Sequence, residues 1–511
     1  MRVPPRRGLL GRLLSLLLLL ALPALAEEPA KPPAPPPAVG VTVVPAAGAR
    51  RVDAVVPGRL LAAALPLGAD GRRRIVLLVG PDLPAGAPAG TPEGAEPPEG
   101  PRRLFLLDTA GQGRLRPLLE GLPKEANELD SFDLDGDGSS EVLLGEPGKL
   151  YSLGSPDAPT PPRLLLSDPA FDLRRPTVGG AFGAAEVGKL RTWALDGKGG
   201  LAPGLEYELP VRAAREQTGL RLSSPAVRVL PHAAGSPPVY AAGPEPRGKV
   251  RLSTLLLDRG EDGEARKVEV WSQLPAPEEV ATHEYVLLDG VPALIVTTTS
   301  AEKMSVFEKK KLRIFPLKRA ADRSRSGQPP ALAVQTVSYR WHSVVPYVLD
   351  ADRDGHDDLI VVQPDGLAGR ELVVETWFGQ GGGRFQTPSR KQKYEMETRT
   401  WAYGRDLTGD GVPDLAAVQG DRLLVFAGTR TPRQTLLERE PRQTVELGPG
   451  QERVLISVGI GLETGSLDVR RSAASLASPR VIDLDADRRA ETLFFTASDG
   501  GRGRVAVVRL N

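Results

Sequence analysis

The 511-residue sequence predicts an all-β fold assembled from repeated units. Two observations support this prediction. Short β-type runs bounded by turn residues recur along the chain, for example at 293–299, 372–377, 423–426 and 504–510. A nine-residue acidic segment also recurs, and each copy lies directly before an apolar run. Segments that repeat in this way are typical of folds built as arrays of similar units.

The four clearest acidic segments span residues 133–141, 350–358, 406–414 and 483–491. Each has an oxygen-bearing side chain at positions 1, 3, 5 and 9, a spacing that suits a hard cation such as Ca²⁺. An acidic turn without metal is the alternative, because Asp and Gly are good turn formers in their own right. The 12-residue loop between two helices fits less well, since these segments are shorter and lead into strands.

Weaker copies at 70–74, 234–238 and 289–293 complete the series, with their sixth positions at 71, 235 and 290. Seven copies, each long enough for a four-stranded sheet, predict a seven-bladed β-propeller. The longest interval, between residues 138 and 235, leaves room for an eighth unit. The last unit is one strand short, and residues 41–44 or 52–56 offer a strand. We therefore expect the N-terminal segment to supply an outer strand that closes the ring.

The acidic loops resemble those of the FG-GAP/VCBS repeat family, whose blades occur in integrin α subunits and in some lectins. The resemblance covers most of the chain from about residue 50, and Trp377-Phe378-Gly379 followed by Gly383-Arg384-Phe385 is similar to the turn of that family. It implies that the loops join the first two strands of a blade and bind Ca²⁺. The ligand residues implied are Asp133, Asp135, Asp137 and Glu141; Asp350, Asp352, Asp354 and Asp358; Asp406, Thr408, Asp410 and Asp414; and Asp483, Asp485, Asp487 and Glu491.

The chemistry of the loops separates the four candidate sites. The residue at position 7 (Ser139, His356, Val412 or Arg489) is expected to contribute its backbone carbonyl. Glycine at position 6 suits a turn with positive φ, and Arg488 departs from this rule in the fourth loop. Thr408 replaces a carboxylate with a neutral oxygen, so the 406–414 loop should bind Ca²⁺ more weakly than the first two.

The N-terminal residues predict export. Residues 1–26 read as a signal peptide, with arginines before a short apolar stretch and Ala24-Leu25-Ala26 at the cleavage site. An uncleaved anchor is the alternative, but the apolar stretch is short for a bilayer. Residues 27–40 form a Pro-rich linker, and 41–511 the propeller, with a low-complexity insertion at 84–102 between neighbouring strands. The mature chain is expected in the periplasm or outside a bacterial cell.

The composition excludes several classes of function. The chain has no cysteine, which rules out disulfides, thiolate zinc sites and a cysteine nucleophile. Its net charge of +1 gives no bulk attraction to nucleic acid or to an anionic membrane. No phosphate-binding GxxxxGK[ST] segment and no Gly-x-Ser-x-Gly elbow occurs in the sequence.

These observations predict a monomeric, exported, non-catalytic binding or scaffold protein, a Ca²⁺-stabilised propeller that contacts a protein or a glycan. A propeller hydrolase or lyase is the first alternative, and it requires carboxylates or histidines that converge at the ring centre. A lectin is the second, and it requires exposed tryptophans. The five tryptophans are more often found packed between blades; they are Trp193, Trp271, Trp341, Trp377 and Trp401.

Overall fold

The computed structural model describes one compact unit within Ala38–Asn511. The described residues are 39–46, 48–81, 100–110, 113–171, 182–216, 219–230, 238–246, 251–260, 262–274, 278–300, 307–317, 330–339, 344–365, 370–398, 400–429, 436–447, 466–468, 480–497 and 502–510. The predicted signal peptide, the linker up to residue 38 and most of the 84–102 insertion lie outside them. The secondary structure assigned to the described residues consists of β-strands.

Eight antiparallel sheets follow one another along the chain as blades 1 to 8. Blade 1 contains β3 (Leu60–Ala64), β4 (Ile75–Val79), β5 (Arg102–Asp108) and β6 (Arg114–Leu122). Blade 2 contains β7 (Glu128–Phe132), β8 (Glu141–Glu146), β9 (Lys149–Ser155) and β10 (Ala158–Ser167). Blade 3 contains β11 (Phe182–Glu186), β12 (Lys189–Leu195) and β13 (Leu201–Glu208), and a separate hairpin follows it with β14 (Arg212–Glu216) and β15 (Gly219–Ser223).

The second half of the ring is more regular. Blade 4 contains β16 (Val227–Val229), β17 (Tyr240–Pro246), β18 (Arg251–Arg259) and β19 (Ala265–Gln273), and blade 5 contains β20 (Glu278–Leu288), β21 (Val291–Ser300), β22 (Phe307–Pro316) and β23 (Leu332–Tyr339). Blade 6 contains β24 (Val345–Leu349), β25 (Asp358–Asp365), β26 (Glu371–Trp377) and β27 (Arg390–Glu395). Blade 7 contains β28 (Thr400–Arg405), β29 (Asp414–Gln419), β30 (Arg422–Phe426) and β31 (Gln443–Glu446).

Blade 8 combines the two ends of the chain. Its C-terminal strands are β33 (Arg480–Ile482), β34 (Glu491–Ala497) and β35 (Gly503–Leu510), and its N-terminal strands are β2 (Ala49–Val55) and, outside it, β1 (Gly40–Ala46). β2 pairs with β35 from Ala49 opposite Leu510 to Val55 opposite Arg504. The expectation that an N-terminal strand closes the ring is therefore confirmed.

The predicted number of seven blades is wrong, because the ring has eight. The unit that was missed is blade 3, which lies within the longest interval between recognised loops. Its three described strands are extended by a bridge from Phe171 to Ala184, on the side where the other blades carry their first strand. The segment 172–181 before β11 contains a single acidic residue, Asp172. No acidic loop therefore marked this blade in the sequence.

The buried apolar residues confirm both the count and the closure. They form eight clusters, and each cluster joins two consecutive blades, including one between blades 8 and 1. β4 shows how a single strand serves two clusters. Ile75, Leu77 and Val79 face blade 8, whereas Val76 and Leu78 face blade 2. A strand buried on both faces needs a continuous apolar run, which is the pattern found after the acidic segments.

The first strands of the blades lie nearest the ring centre. β3 contacts β7, β20 contacts β24, and β28 contacts both β24 and β33. The fourth strands β6 and β10 are instead largely exposed. A short strand, β32 (Ser466–Asp468), comes from the segment between blades 7 and 8 and pairs with β3. β4 and β5 pair directly across the low-complexity insertion, as predicted, although β5 begins at Arg102, inside the predicted 84–102 bounds.

Candidate metal centre

The four acidic loops occupy equivalent places in blades 2, 6, 7 and 8, where each joins the first strand to the second. The loop 133–141 connects β7 to β8, 350–358 connects β24 to β25, 406–414 connects β28 to β29, and 483–491 connects β33 to β34. The weaker copies at 70–74 and 289–293 lie at the same place in blades 1 and 5. The copy at 234–238 falls almost entirely outside the described residues.

A common set of backbone-to-carboxylate hydrogen bonds shapes all four loops. The carboxylate at position 9 accepts the amide of position 2, at 2.7 Å from Leu134 to Glu141 and 3.0 Å from Ala351 to Asp358. The carboxylate at position 1 accepts the amide of position 6, and that at position 5 accepts the amide of position 7. The loops are therefore one structure repeated four times.

Two backbone positions of each loop are left-handed. Position 6 has φ of 87°, 89° and 81° at Gly138, Gly355 and Gly411, and 71° at Arg488. Arg488 thus adopts the same left-handed turn as the glycines although it carries a side chain. Position 4 was not recognised from the sequence. It is also left-handed, with glycine in the 133–141 and 406–414 loops but Arg353 (63°) and Ala486 (62°) in the others. Such residues carry strain of about 1–2 kcal/mol relative to glycine.

Position 2 anchors each loop to the core. Its residues Leu134, Ala351, Leu407 and Leu484 are buried and belong to four of the clusters between blades. The carboxylate at position 9 is drawn inward with the strand that follows. Burial raises the pKa of Asp358 to about 7, of Asp414 to about 6 and of Glu491 to about 7, and it also raises the pKa of Glu141. A nearby cation would offset the cost of keeping these groups ionised.

Three loops bring their carboxylates together. In each, one oxygen from positions 1, 3 and 9 lies within 4.8 Å of the others; the three sets are Asp133, Asp135 and Glu141; Asp350, Asp352 and Asp358; and Asp483, Asp485 and Glu491. Such convergent oxygens fit a hard cation, and like charges at this separation repel one another without one. Acidic groups can also converge without a metal. The predicted ligand positions 1, 3 and 9 thus lie together in three loops.

The 406–414 loop fits a cation through a different donor set. The hydroxyl Oγ1 of Thr408 at position 3 is buried without a hydrogen-bond partner in the structure. Asp414 is already engaged, since its Oδ2 accepts the amides of Leu407 and Thr408 and its Oδ1 accepts that of Gly428. A cation could use the unpartnered hydroxyl, but the smaller charge here agrees with a weaker site.

The 483–491 loop fits a cation poorly. Arg509 of β35 forms ion pairs with Asp485 and Asp487, and its Nε lies 3.8 Å from Oε1 of Glu491. Desolvation opposes the charge of Arg509, but Asp485, Asp487 and Glu491 outweigh it and raise the pKa of the guanidinium. The positively charged guanidinium of Arg509 thus already lies beside the carboxylates at positions 3, 5 and 9.

Position 7 has no common side-chain role. Val412 is buried and apolar, and the hydroxyl of Ser139 donates to the carbonyl of Leu67 at 3.4 Å. His356 Nδ1 lies 4.0 Å from Oδ1 of Asp289. Because these three side chains share no role, the backbone carbonyl remains the predicted ligand at position 7.

Hydrogen bonds from the amide at position 8 link the loops of blades 1, 2, 6 and 8 to the preceding blade. The amide of Ser140 donates to the carbonyl of Leu67 at 2.7 Å, and that of Arg73 donates to the carbonyl of Leu484 at 2.6 Å. The amide of Ala490 donates to the carbonyl of Asp406 at 2.7 Å. Blade 7 has Pro413 at this position and so lacks the donor. The weaker copy in blade 1, which retains Asp70 at position 5, therefore keeps a structural role.

Blades 5 and 6 are joined by a reciprocal clasp. The amide of Asp357, at position 8, donates to Oδ1 of Asp289 at 2.9 Å, and the amide of Asp289 donates to Oδ2 of Asp357 at 2.6 Å. A third amide, from Gly383, donates to Oδ2 of Asp289 at 3.2 Å. Asp289 has a φ of 49°, which is also left-handed. The weaker loop copy at 289–293 thus holds blades 5 and 6 together through hydrogen bonds.

A glycine after the third strand packs against two of the loops. The amide of Gly379 donates to Oδ1 of Asp358, and the amide of Gly428 donates to Oδ1 of Asp414, both at 2.7 Å. A Cβ at Gly379 would lie 2.4 Å from the carbonyl oxygen of Asp357, so no larger residue fits. This contact explains the glycine of Trp377-Phe378-Gly379, whose turn closes with a bridge from Gly379 to Phe385.

The tryptophans serve mainly in packing. Trp377 and Trp401 are buried in clusters between blades, and Trp193 packs against the cluster between blades 2 and 3. Trp271 lies half-buried on β19, and Trp341 falls outside the described residues. The interpretation that tryptophans pack between blades is confirmed for the first three.

The chain was compared with known proteins. No family model matches the sequence, and no curated protein matches it. Solved structures that resemble it include Hsv2 of Kluyveromyces lactis (10% identity, 70% of this chain and 99% of that chain, TM-score 0.29). Extracellular domains 1–2 of Drosophila Semaphorin 1b also resemble it (10% identity, 71% of this chain and 85% of that chain, TM-score 0.29). The WD40 domain of SCAP from fission yeast does so as well (9% identity, 75% of this chain and 96% of that chain, TM-score 0.29).

These similarities are too remote to bear on function. The propeller fold rests on the strand pairing and the closed series of clusters described above. In the part of the chain that the structure describes, no helix is long and apolar enough to span a membrane.

Proposed function

We propose that this chain is an exported, non-catalytic binding or scaffold protein of the FG-GAP/VCBS type, whose acidic loops hold Ca²⁺. The observation that supports the proposal best is the repetition of one carboxylate-lined loop at the same place in four blades. Ca²⁺ would be held by positions 1, 3, 5 and 9 of the 133–141 and 350–358 loops, and more weakly by the 406–414 loop. When bound, it neutralises carboxylates that otherwise repel one another.

The architecture supports a binding role through rigidity. Each loop is fixed to the core at position 2, and four of the first-to-second-strand connections are bonded to the preceding blade through position 8. Bound Ca²⁺ would stiffen this end of the ring further. A rigid surface loses little conformational entropy on binding a partner, which favours recognition of a protein or a glycan.

The binding proposal is tested with the purified mature chain. A glycan array and cross-linking in envelope extracts should be run in Ca²⁺ and in chelator, with Asp135→Ala and Asp352→Ala variants alongside. Binding to a defined glycan or protein that weakens in chelator and in both variants supports the proposal. Turnover of a defined substrate by wild type would favour the hydrolase or lyase alternative instead.

Export is a separate part of the proposal and rests on residues 1–26. N-terminal sequencing of material from the periplasm or medium should begin at Glu27. A chain that begins at Met1 would contradict cleavage and favour an anchor.

A further inference from the structure

Arg509 occupies the place in the 483–491 loop where a cation would be expected. It lies near the end of β35, opposite Arg50 of the closing strand β2. From there its guanidinium pairs with Asp485 and Asp487 and approaches Glu491. These acids stand at positions 3, 5 and 9, and in the other loops the same positions are the proposed Ca²⁺ ligands.

We propose that the guanidinium of Arg509 takes the place of the metal ion in blade 8, so that this loop is held by an internal cation and does not bind Ca²⁺. The comparison with the other loops rests on their proposed Ca²⁺ binding. The role of Arg509 as the counter-ion of its own loop does not depend on it.

The charges of the loops support this assignment. The 133–141 loop contains four carboxylates and no basic residue. The 483–491 loop also contains four carboxylates, but it includes Arg488 and Arg489, and Arg509 adds a third positive charge from outside. A divalent ion entering there would be repelled by these cations. A guanidinium offers five N–H donors in a planar fork, so it can serve several carboxylate oxygens together.

The backbone hydrogen bonds of the 483–491 loop also differ from those of the 133–141 loop. In the 133–141 loop, Oδ1 of Asp133 accepts the amide of Gly136 at 2.7 Å, and Oδ1 of Asp135 accepts that of Asp137 at 3.2 Å. The equivalent Oδ1 atoms of Asp483 and Asp485 are buried without a hydrogen-bond partner in the structure. Arg509 thus engages the second oxygen of Asp485 and leaves these two Oδ1 atoms unpartnered.

Blade 1 shows a related replacement next to the closure. At position 9 of its weaker loop stands Arg74, whose guanidinium contacts Asp70 at position 5 and Asp157 of blade 2, both at 3.1 Å. β2 is a strand of blade 8, and the chain continues from it directly into β3 of blade 1. Blades 8 and 1 therefore lie on the two sides of the ring closure. Arginines rather than metal ions therefore balance the acids on both sides of the closure, which makes the joining of the chain ends independent of Ca²⁺.

The test counts bound ions in metal-stripped protein by calorimetric titration with Ca²⁺. Arg509→Gln should bind one more ion than wild type, and the double variant Arg509→Gln/Asp485→Asn should return to the wild-type number. Arg509→Lys keeps the positive charge and should gain no ion. The matched control is Arg504→Gln on the same strand, which lies opposite Val55 and Thr496 and should not change the count.

Melting in chelator provides the second readout. Arg509→Gln should melt at a lower temperature than wild type in chelator, and Ca²⁺ should restore most of the loss, whereas Arg504→Gln should match wild type. The inference is overturned if Asp485→Asn alone lowers the ion count of wild type, or if Arg509→Gln gains no ion and melts like wild type in chelator. If wild type binds no Ca²⁺, the proposed function fails, and the melting of Arg509→Gln in chelator still decides the role of Arg509.

Discussion

The clasp between blades 5 and 6 yields the most detailed prediction. The Asp289 side chain accepts amides from Asp357 and Gly383, and only 18% of it is exposed. A hydrogen bond to a charged group contributes about 1.5–3 kcal/mol, and the partial exposure places these two near the lower value. Alanine at a left-handed position adds strain of about 1 kcal/mol. We therefore expect Asp289→Ala to lower the free energy of unfolding by about 4 kcal/mol.

A series of substitutions at Asp289 separates these contributions. Asp289→Gly loses the acceptors but tolerates the left-handed backbone, so it should be about 0.5–1 kcal/mol more stable than Asp289→Ala. Asp289→Asn keeps one acceptor oxygen and should lose about half as much as Asp289→Ala. The assay is urea unfolding followed by tryptophan fluorescence, in Ca²⁺ and in chelator. The loss should be equal in both buffers, because the clasp contains no proposed metal ligand. A loss below about 0.5 kcal/mol, or one seen only in Ca²⁺, would refute the reasoning.

Three further predictions concern other parts of the ring. Arg488→Gly should raise the free energy of unfolding by about 1 kcal/mol, because it relieves a left-handed residue, whereas Arg489→Gly should lower it. Burial raises the pKa of Glu284 to about 8, above its ordinary value of 4.5, so stability should fall as pH rises from about 4.5 to 8. Glu284→Gln should remove this fall and stabilise the chain by about 3 kcal/mol at pH 7. Asp135→Ala should remove about 2.7 kcal/mol of Ca²⁺-dependent stability at a hundredfold excess over Kd.

Each of these three predictions has its own check. Thermal unfolding compares Arg488→Gly with Arg489→Gly, and equal losses in both would show that φ at position 6 carries no strain. Unfolding at several pH values compares Glu284→Gln with the exposed control Glu120→Gln, and parallel pH profiles would contradict the burial of a costly charge. Melting in Ca²⁺ and in chelator tests Asp135→Ala, and an undiminished Ca²⁺-dependent gain would exclude this loop as a site.

The propeller fold could be predicted from the sequence because the acidic loops, and the apolar runs that follow them, recur once per blade in several blades. Ile75–Val79 is apolar throughout because both of its faces are covered, and the second strands of blades 2 and 6 contain apolar stretches at 142–144 and 359–362. The count failed at blade 3 because the segment 172–181 carries only Asp172 as an acid. A blade is held by its apolar strands and does not need an acidic loop, so loops alone undercount blades.

The loop residues of the candidate site could be predicted from the sequence. The residues that contact these loops from elsewhere in the chain could not. Positions 1, 3, 5 and 9 could be read from spacing, and the buried residue at position 2 is visible as Leu134, Leu407 or Leu484 directly after the first Asp. Arg509 could not be found in this way, because it is 18 residues beyond Glu491 and meets the loop only through strand pairing. The role of Gly379 likewise depends on how the turn after the third strand packs against Asp358.

The central claim is that cations held by the acidic loops stabilise the eight-bladed ring, and calorimetric melting of wild type tests it most directly. Metal-stripped protein is melted in chelator, in Mg²⁺ and in Ca²⁺ at equal ionic strength. We predict a clearly higher melting temperature in Ca²⁺ than in chelator, since each occupied site adds about 2.7 kcal/mol at a hundredfold excess over Kd. Mg²⁺ should give a smaller rise because it demands a tighter octahedral site. Identical melting in Ca²⁺ and in chelator would contradict the claim and leave the loops as acidic turns without metal.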